Sequence, residues 1–405
     1  MASEQSIENV GGGGGGGEVE IPEVDSFDDM GLPESLLRGV YSYGFEKPSA
    51  VQRKAIVPAS SGRDIIVQAQ SGTGKTGTFA ISLLARIDTV SQPYTQALVI
   101  APTRELAQQS FNVIKSLGEY MGVRVHPLLK GNPIQEDIRV LRSGIHVAVG
   151  TPGRVYDMIT RGALRMDTLR MFVVDEADQM LSLGFKEQLV EIFGTGLSQT
   201  AQVALYSATM PPDALELTKR FMQNPIKILI PVEKLSLEGI QQFQVNVKDD
   251  GEKPGCLADI YGLLSVSQCI IFCNTCQRVE QLAGFMRENN FAVDVIHSDL
   301  NPDERSRAVE SFKAGTSRVL IASGILSRGV DVQGLSLVIN FDLPRGERGV
   351  EEYLHRVGRV GRFGRKGVAV NIVSQREARE MKYIEDHYKI KVDPMPEPGT
   401  LLSAM

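Results

Sequence analysis

Asp64-Ile65-Ile66-Val67-Gln68-Ala69-Gln70-Ser71-Gly72-Thr73-Gly74-Lys75-Thr76 is the stretch that decides the architecture of this chain. Its first five residues form a short β-branched run of the kind that fills a strand buried on both faces. The residues after them, Ser71, Gly72, Thr73 and Gly74, lead to Lys75 and Thr76 where a helical pattern opens. Glycines let consecutive backbone N–H groups wrap a phosphate chain, and the helix N-terminus adds positive field. Lys75 then reaches the outer phosphates and Thr76 helps hold Mg²⁺. A glycine-rich turn between strand and helix is the ordinary alternative, but the Lys-Thr pair at the helix start favours the phosphate loop.

Outward from this stretch the same rhythm repeats. Apolar runs at Ala97–Ala101, His146–Gly150, Met171–Asp175 and Val203–Ser207 alternate with helical patterns, as expected of a parallel sheet covered on both faces. After a stretch rich in Pro, Glu, Lys and Gly the rhythm restarts with Cys269–Cys273, Ala292–His297, Arg318–Ala322, Leu337–Phe341 and Val368–Val373. The expected organisation is a Gly-rich acidic tail over 1–24, one α/β lobe over 25–230, a linker over 231–243 and a second α/β lobe over 244–405. Functional loops should lie at the carboxyl ends of the strands, facing a cleft between the lobes.

Composition is that of an ordinary globular protein, with 42% hydrophobic and 23% charged residues and no Trp to furnish an aromatic sugar-binding or membrane-interface surface. No apolar run approaches the roughly 20 residues that span a bilayer, and the start Met1-Ala2-Ser3-Glu4 lacks a leader's profile. A cytoplasmic protein is expected, with the nucleus as the alternative. The formal charge of -6 argues against constitutive coating of nucleic acid but leaves room for binding gated by a second ligand. Cys269, Cys273 and Cys276 have the C-x3-C-x2-C spacing of a cluster-binding loop, yet the first two sit on an apolar run that reads as a buried strand.

Asp175-Glu176-Ala177-Asp178 ends another apolar strand. Three acids in four residues are often a solvated helix start. Following a buried strand in a chain with a phosphate loop, Asp175 is placed to face the metal and Glu176 to orient or deprotonate the attacking water.

With these motifs in place the chain, from Phe27 to its end, resembles the DEAD-box ATP-dependent RNA helicases. The resemblance implies two tandem RecA-like domains, parallel sheets with helices on both faces, working on ATP, Mg²⁺ and RNA. It implies an adenine-reading element in Gly44–Gln52, with Gln52 bonding the base and Phe45 beside it; Phe27 is either core or a further contact. Ser207-Ala208-Thr209, with Asp178 and His355, resembles the elements that couple nucleotide to RNA. His355-Arg356-Val357-Gly358-Arg359-Val360-Gly361-Arg362 resembles the arginine-finger motif, whose Arg359 and Arg362, one helical turn apart, would both face the γ-phosphate. Gly329 and Asp331 fall in the segment that holds the ribose. RNA contacts are implied at Pro102, Thr103, Arg104, Gly131, Thr151, Pro152, Gly153, Arg154, Asn274 and Arg328, through sugar-phosphate groups rather than bases.

Several positions depart from the family pattern. Asn132 stands for the second Gly of a pair, Ser298 for the Gly of a His-Gly-Asp segment, and Cys276 where relatives usually carry Arg. Ala322-Ser323-Gly324 replaces Thr-Thr-Asp, Val360 lies between the finger arginines, and residues 345–352 lengthen a loop. These changes weaken the expected RNA grip while leaving the ATP machinery nearly complete. Phe27–Met30, Glu34–Gly39 and Tyr43–Ala50 are similar to the translation-initiation branch of the family. That likeness implies a monomer acting on single-stranded or locally duplex RNA, mRNA in particular, with a helical-repeat scaffold as partner and no membrane. An ATP-gated RNA clamp with little unwinding, of the exon-junction type or a specialised paralogue, is the alternative.

Overall fold

Seven parallel strands in each of two sheets carry the two apolar series. The computed structural model describes residues 23–69, 72–90, 94–230, 240–263, 268–323, 335–346, 349–360 and 367–396. The first sheet contains β1 (Ile65–Gln68), β2 (Ala97–Ile100), β3 (Val125–Leu128), β4 (Val147–Gly150), β5 (Met171–Asp175), β6 (Gln202–Ser207) and β7 (Ile226–Leu229), in the spatial order β3-β4-β2-β5-β6-β1-β7. The second contains β8 (Ile240–Val247), β9 (Cys269–Cys273), β10 (Val293–Ile296), β11 (Val319–Ser323), β12 (Leu337–Asn340), β13 (Gly367–Ser374) and β14 (Asp393–Pro394), in the order β10-β11-β9-β12-β13-β8-β14. Counted from its own first strand, the second sheet repeats the order of the first, so the lobes share one topology.

Side chains along these strands alternate between two cores. Ile65 and Val67 enter the core on one face of the first sheet while Ile66 enters the other, and Met171 and Val173 are likewise divided from Phe172 and Val174. In the second sheet Ile270 and Phe272 face away from Cys269, Ile271 and Cys273. Helices cover both faces, which is why these strands are apolar throughout rather than alternating. Among the described residues no helix is long and apolar enough to cross a membrane.

Strand order places the site. Because β5, β6 and β1 are neighbours, the loops after them, carrying Asp175–Asp178, Ser207–Thr209 and Gly72–Thr76, converge at one end of the sheet. The loops after β3, β4 and β2, carrying Gly131–Asn132, Thr151–Arg154 and Pro102–Arg104, gather on the other half of the same edge. Four strands lie outside the expected set: β3, β7, β8 and β14. β8 corrects a boundary, since residues 240–243, read as the end of the linker, are already strand paired with β13.

Candidate active site and RNA interface

The phosphate loop is shaped by what packs behind it. Gly74 has φ +106°, and a Cβ there would meet Ser49 Oγ at 2.8 Å and Gln52 Nε2 at 3.1 Å. At Gly77, in the helix Lys75–Leu84, a Cβ would meet Gln52 Nε2 at 2.7 Å and the Phe45 ring at 3.0 Å. The expected adenine element thus lies directly against the phosphate loop, and only glycine admits it. Gln52 is buried, with Oε1 accepting from Ser49 N at 2.8 Å in a capping box at the start of the helix Ala50–Ser60. Phe27 belongs to the core, stacked on half-buried Phe45 with ring centroids 6.3 Å apart. That settles its alternatives in favour of packing. Ser71 lies outside the described residues.

Lys75, 4% exposed, donates from Nζ to Ala69 O at 2.7 Å and lies 3.3 Å from Glu176 Oε1. Thr76 follows it on the first turn of the helix. Asp175, 2% exposed, accepts from Glu176 N at 3.0 Å. Burial, then the neighbouring Glu176, pushes its carboxyl up to about 8, against the pull of Lys75. Glu176 takes a left-handed conformation, φ 48° and ψ 55°, that costs a non-glycine residue of order 1–3 kcal/mol. Its Oε2 is buried without a hydrogen-bond partner among the described residues. An oxygen-rich pocket with a buried, charge-averse carboxylate and an unsatisfied oxygen fits a small hard dication beside the Thr76 hydroxyl.

Asp178 ties the loops together and reaches the other lobe. Its Oδ2 accepts from Thr209 N at 3.2 Å and Thr209 Oγ1 at 2.9 Å, and its N–H donates to Ser207 Oγ at 3.2 Å. His355 of the second lobe, 1% exposed, brings Nε2 to 3.6 Å from the same Oδ2. The four residues expected to couple nucleotide and RNA are therefore in one cluster spanning the cleft. A second bridge, not anticipated, joins Arg305 Nη1 to Glu105 Oε1 at 3.5 Å.

In the arginine motif, the helix Gly349–Val357 ends before Arg359, which lies beyond it rather than on it. Arg359 is buried, donating from Nε to His355 O at 3.1 Å, while Arg362, with Arg328, Gly329 and Asp331, lies outside the described residues. Arg356, which the sequence reading passed over, is fully buried. It donates to Glu352 Oε1 at 2.6 Å, Asp342 O at 2.7 Å and Asn274 Oδ1 at 2.9 Å. Its sequence signal was the i,i+4 pairing with Glu352. Asn274 also donates from Nδ2 to Leu343 O at 2.8 Å, so its amide is committed within the lobe.

On the other half of the edge, several polar groups expected to meet RNA serve the loops themselves. Thr103 Oγ1 caps the helix Arg104–Leu117, Arg104 donates to Lys130 O beside Gly131, and Arg154 pairs with buried Asp137 at 2.6 Å and donates to Asn132 O at 2.9 Å. His126 Nε2 lies 2.9 Å from the other Asp137 oxygen. Asn132 thus contributes its carbonyl to the fixing of Arg154. Thr151, Pro152 and Gly153 begin the next helix, where the Thr151 hydroxyl makes no capping bond and a Cβ on Gly153 would meet only Gln188 Oε1, at 4.0 Å. Thr151 N donates to Leu128 O at 3.3 Å and Pro152 has no N–H, which leaves the first-turn N–H groups of Gly153 and Arg154 with the Thr151 hydroxyl as groups suited to a phosphate backbone. Ser323 closes β11 with its hydroxyl buried and without a partner among the described residues, rather than on the groove, and Val360 is core.

The chain matches the DEAD/DEAH box helicase family over residues 49–217 and the helicase conserved C-terminal domain over residues 252–364. It is 54% identical to eukaryotic initiation factor 4A of Caenorhabditis elegans over 374 residues, 92% of each chain. It is 52% identical to ATP-dependent RNA helicase eIF4A of Scheffersomyces stipitis, over 92% of this chain and 93% of that one. Its fold superposes on S. cerevisiae Dbp5 bound to RNA and ADP BeF3 with a TM-score of 0.84 at 32% identity, covering 92% of this chain and 96% of that one. A DEAD box protein from Methanococcus jannaschii, 33% identical and covered completely, superposes with a TM-score of 0.56. The chain belongs to the DEAD-box family of ATP-dependent RNA helicases. Within that family it is an eIF4A-like helicase.

Proposed function

We propose that the chain binds ATP with Mg²⁺ between its lobes, closes on single-stranded RNA without reading sequence, and separates short duplexes in cytoplasmic translation initiation with a helical-repeat scaffold as partner. The observation that carries this reading is Asp178, held by Thr209 on one side and approached by His355 of the second lobe on the other. Movement of nucleotide against Asp175 and Glu176 is thereby felt across the cleft. Thr76 and Asp175 would hold Mg²⁺, which would neutralise charge on the transferring phosphoryl group. Lys75 binds the outer phosphates, Glu176 positions the water, and Arg359 with Arg362 answers charge that develops in the transition state. Gln52 holds adenine, Gly329 and Asp331 lie at the ribose, and the loops after β2, β3 and β4 hold the RNA backbone. Likeness to Dbp5 with RNA and ADP BeF3 supports a closed arrangement of the lobes.

The test is strand separation of a short labelled RNA duplex with ATP and Mg²⁺, in wild type and Glu176→Gln. ATP-dependent separation in wild type and its loss in the variant is expected. ATP-dependent RNA retention without separation in wild type would favour the clamp.

A further inference from the structure

We propose a zinc-class metal site in the second lobe, formed by Cys276, His297 and Asp299, outside the nucleotide and RNA machinery described above. A ring nitrogen of His297, the Cys276 thiol and an Asp299 carboxylate oxygen all lie within 4.8 Å of one another. Tetrahedral zinc with Zn–S near 2.3 Å and Zn–N or Zn–O near 2.0–2.2 Å needs its ligand atoms roughly 3.3–3.7 Å apart. Rotation of the half-exposed thiol and the exposed carboxylate supplies the difference without moving a strand.

The independent observation is His297. It is 5% exposed, and its Nδ1 is buried with no hydrogen-bond partner among the described residues. Its other nitrogen, Nε2, lies 2.8 Å from Glu280 Oε1. A carboxylate on one ring nitrogen fixes the tautomer that leaves a lone pair on the other, the usual outer arrangement of a metal-bound histidine. An imidazole nitrogen left bare in the interior forfeits its hydration, so its retention calls for an acceptor of that lone pair.

The ligands come from two elements. Cys276 opens the helix Cys276–Glu288, while His297 and Asp299 follow β10, so a bound ion would tie the start of that helix to the loop after β10. Ser298, between the two β10-side ligands, has its Oγ 3.2 Å from Cys276 Sγ and 3.0 Å from Asp299 Oδ1, which already draws the two together. One thiolate, one carboxylate and one neutral imidazole balance a dication, with the thiol proton released on binding and water in the fourth position. Soft thiolate with imidazole selects zinc-like ions over Mg²⁺. Cys276, which departs from the family pattern, supplies the soft ligand of the site.

Cobalt(II) titrated into the reduced full-length protein without nucleotide tests the proposal by absorption. One equivalent should produce thiolate-to-cobalt charge transfer and tetrahedral d–d bands, both displaced by zinc chloride. The bands should vanish in Cys276→Ser and in Cys276→Arg, the latter carrying the residue usual in relatives. Glu280→Gln should keep the bands with affinity about 10–100-fold weaker. The all-oxygen site of the first lobe cannot give a thiolate band. Absence of the band in wild type, or its survival in Cys276→Ser, overturns the site; undiminished affinity in Glu280→Gln overturns Nδ1 as the ligand.

Discussion

Glu176 carries both a strained backbone and a buried, unsatisfied oxygen, and the two belong together: the left-handed turn aims the carboxylate into the pocket beside Lys75. Glu176→Gln keeps the shape and removes the base. Turnover should fall about 10²–10⁴-fold with ATP affinity little changed, measured by phosphate release and equilibrium nucleotide binding. Unchanged turnover would remove Glu176 from the reaction. Gln52 has two duties, since Oε1 caps a helix while the amide faces the phosphate loop. Gln52→Ala removes the amide whose oxygen would accept from adenine N6–H and be repelled by guanine O6. The preference for ATP over GTP should drop, with about 1 kcal/mol of stability lost with the cap; a retained preference would move base recognition elsewhere. The acids and the lysine were read from their offsets to strand ends, and Gln52 through the family resemblance. Arg356 showed only its i,i+4 pairing with Glu352, and Asp137 showed nothing, since Asp342 O, Asn274, His126 and Arg154 come near only on folding.

At the scale of elements, the second lobe is pinned by a buried charge that no motif announces. Lys253 opens the helix Lys253–Leu263 fully buried, with Nζ 2.5 Å from Glu377 Oε2 and donating to Phe341 O at 2.8 Å. Glu377 also accepts from Leu343 N and Ser374 N, so one carboxylate joins the ends of β12 and β13 to that helix. Glu377→Ala leaves the ammonium with Phe341 O and with Asp250 and Asp342 at 3.6 Å but strips Leu343 N and Ser374 N of their acceptor, so the second lobe should lose about 3 kcal/mol, read from its transition in urea. A loss under about 1 kcal/mol would mean that water reaches Lys253. Nothing in the spacing of Lys253 and Glu377 announces the pair. The missed strands likewise lack a clear pattern. β3 contains His126 and Pro127, β8 alternates with Gln241, Gln242 and Gln244, and β14 is two residues long. Polar side chains, Pro or shortness break the apolar run in these three, and edge position alone does not decide it, since β10 lies at an edge and was read.

Across the whole molecule, the lobes meet through pairs far apart in the chain, Asp178 with His355 and Glu105 with Arg305. No spacing rule specifies such pairs. The first was expected through family resemblance, the second only appeared in the fold. Arg305→Ala and Glu105→Ala should each weaken RNA binding in the presence of ADP·BeF3, and the double variant should be no weaker than either alone if the bridge acts as a unit. Additive losses would show two separate roles. The expected weakness of grip rested in part on Ser323, which is buried, while Gly324 lies outside the described residues.

RNA affinity measured with and without ADP·BeF3, on wild type and His355→Ala, tests the coupling of the two lobes most directly. Wild type should bind single-stranded RNA roughly 5–150-fold more tightly with the nucleotide analogue, and ADP·BeF3 more tightly with RNA by the same factor. His355→Ala should lose most of that difference while its binding without nucleotide is unchanged. Equal RNA affinity with and without the analogue in wild type would contradict a clamp closed by ATP.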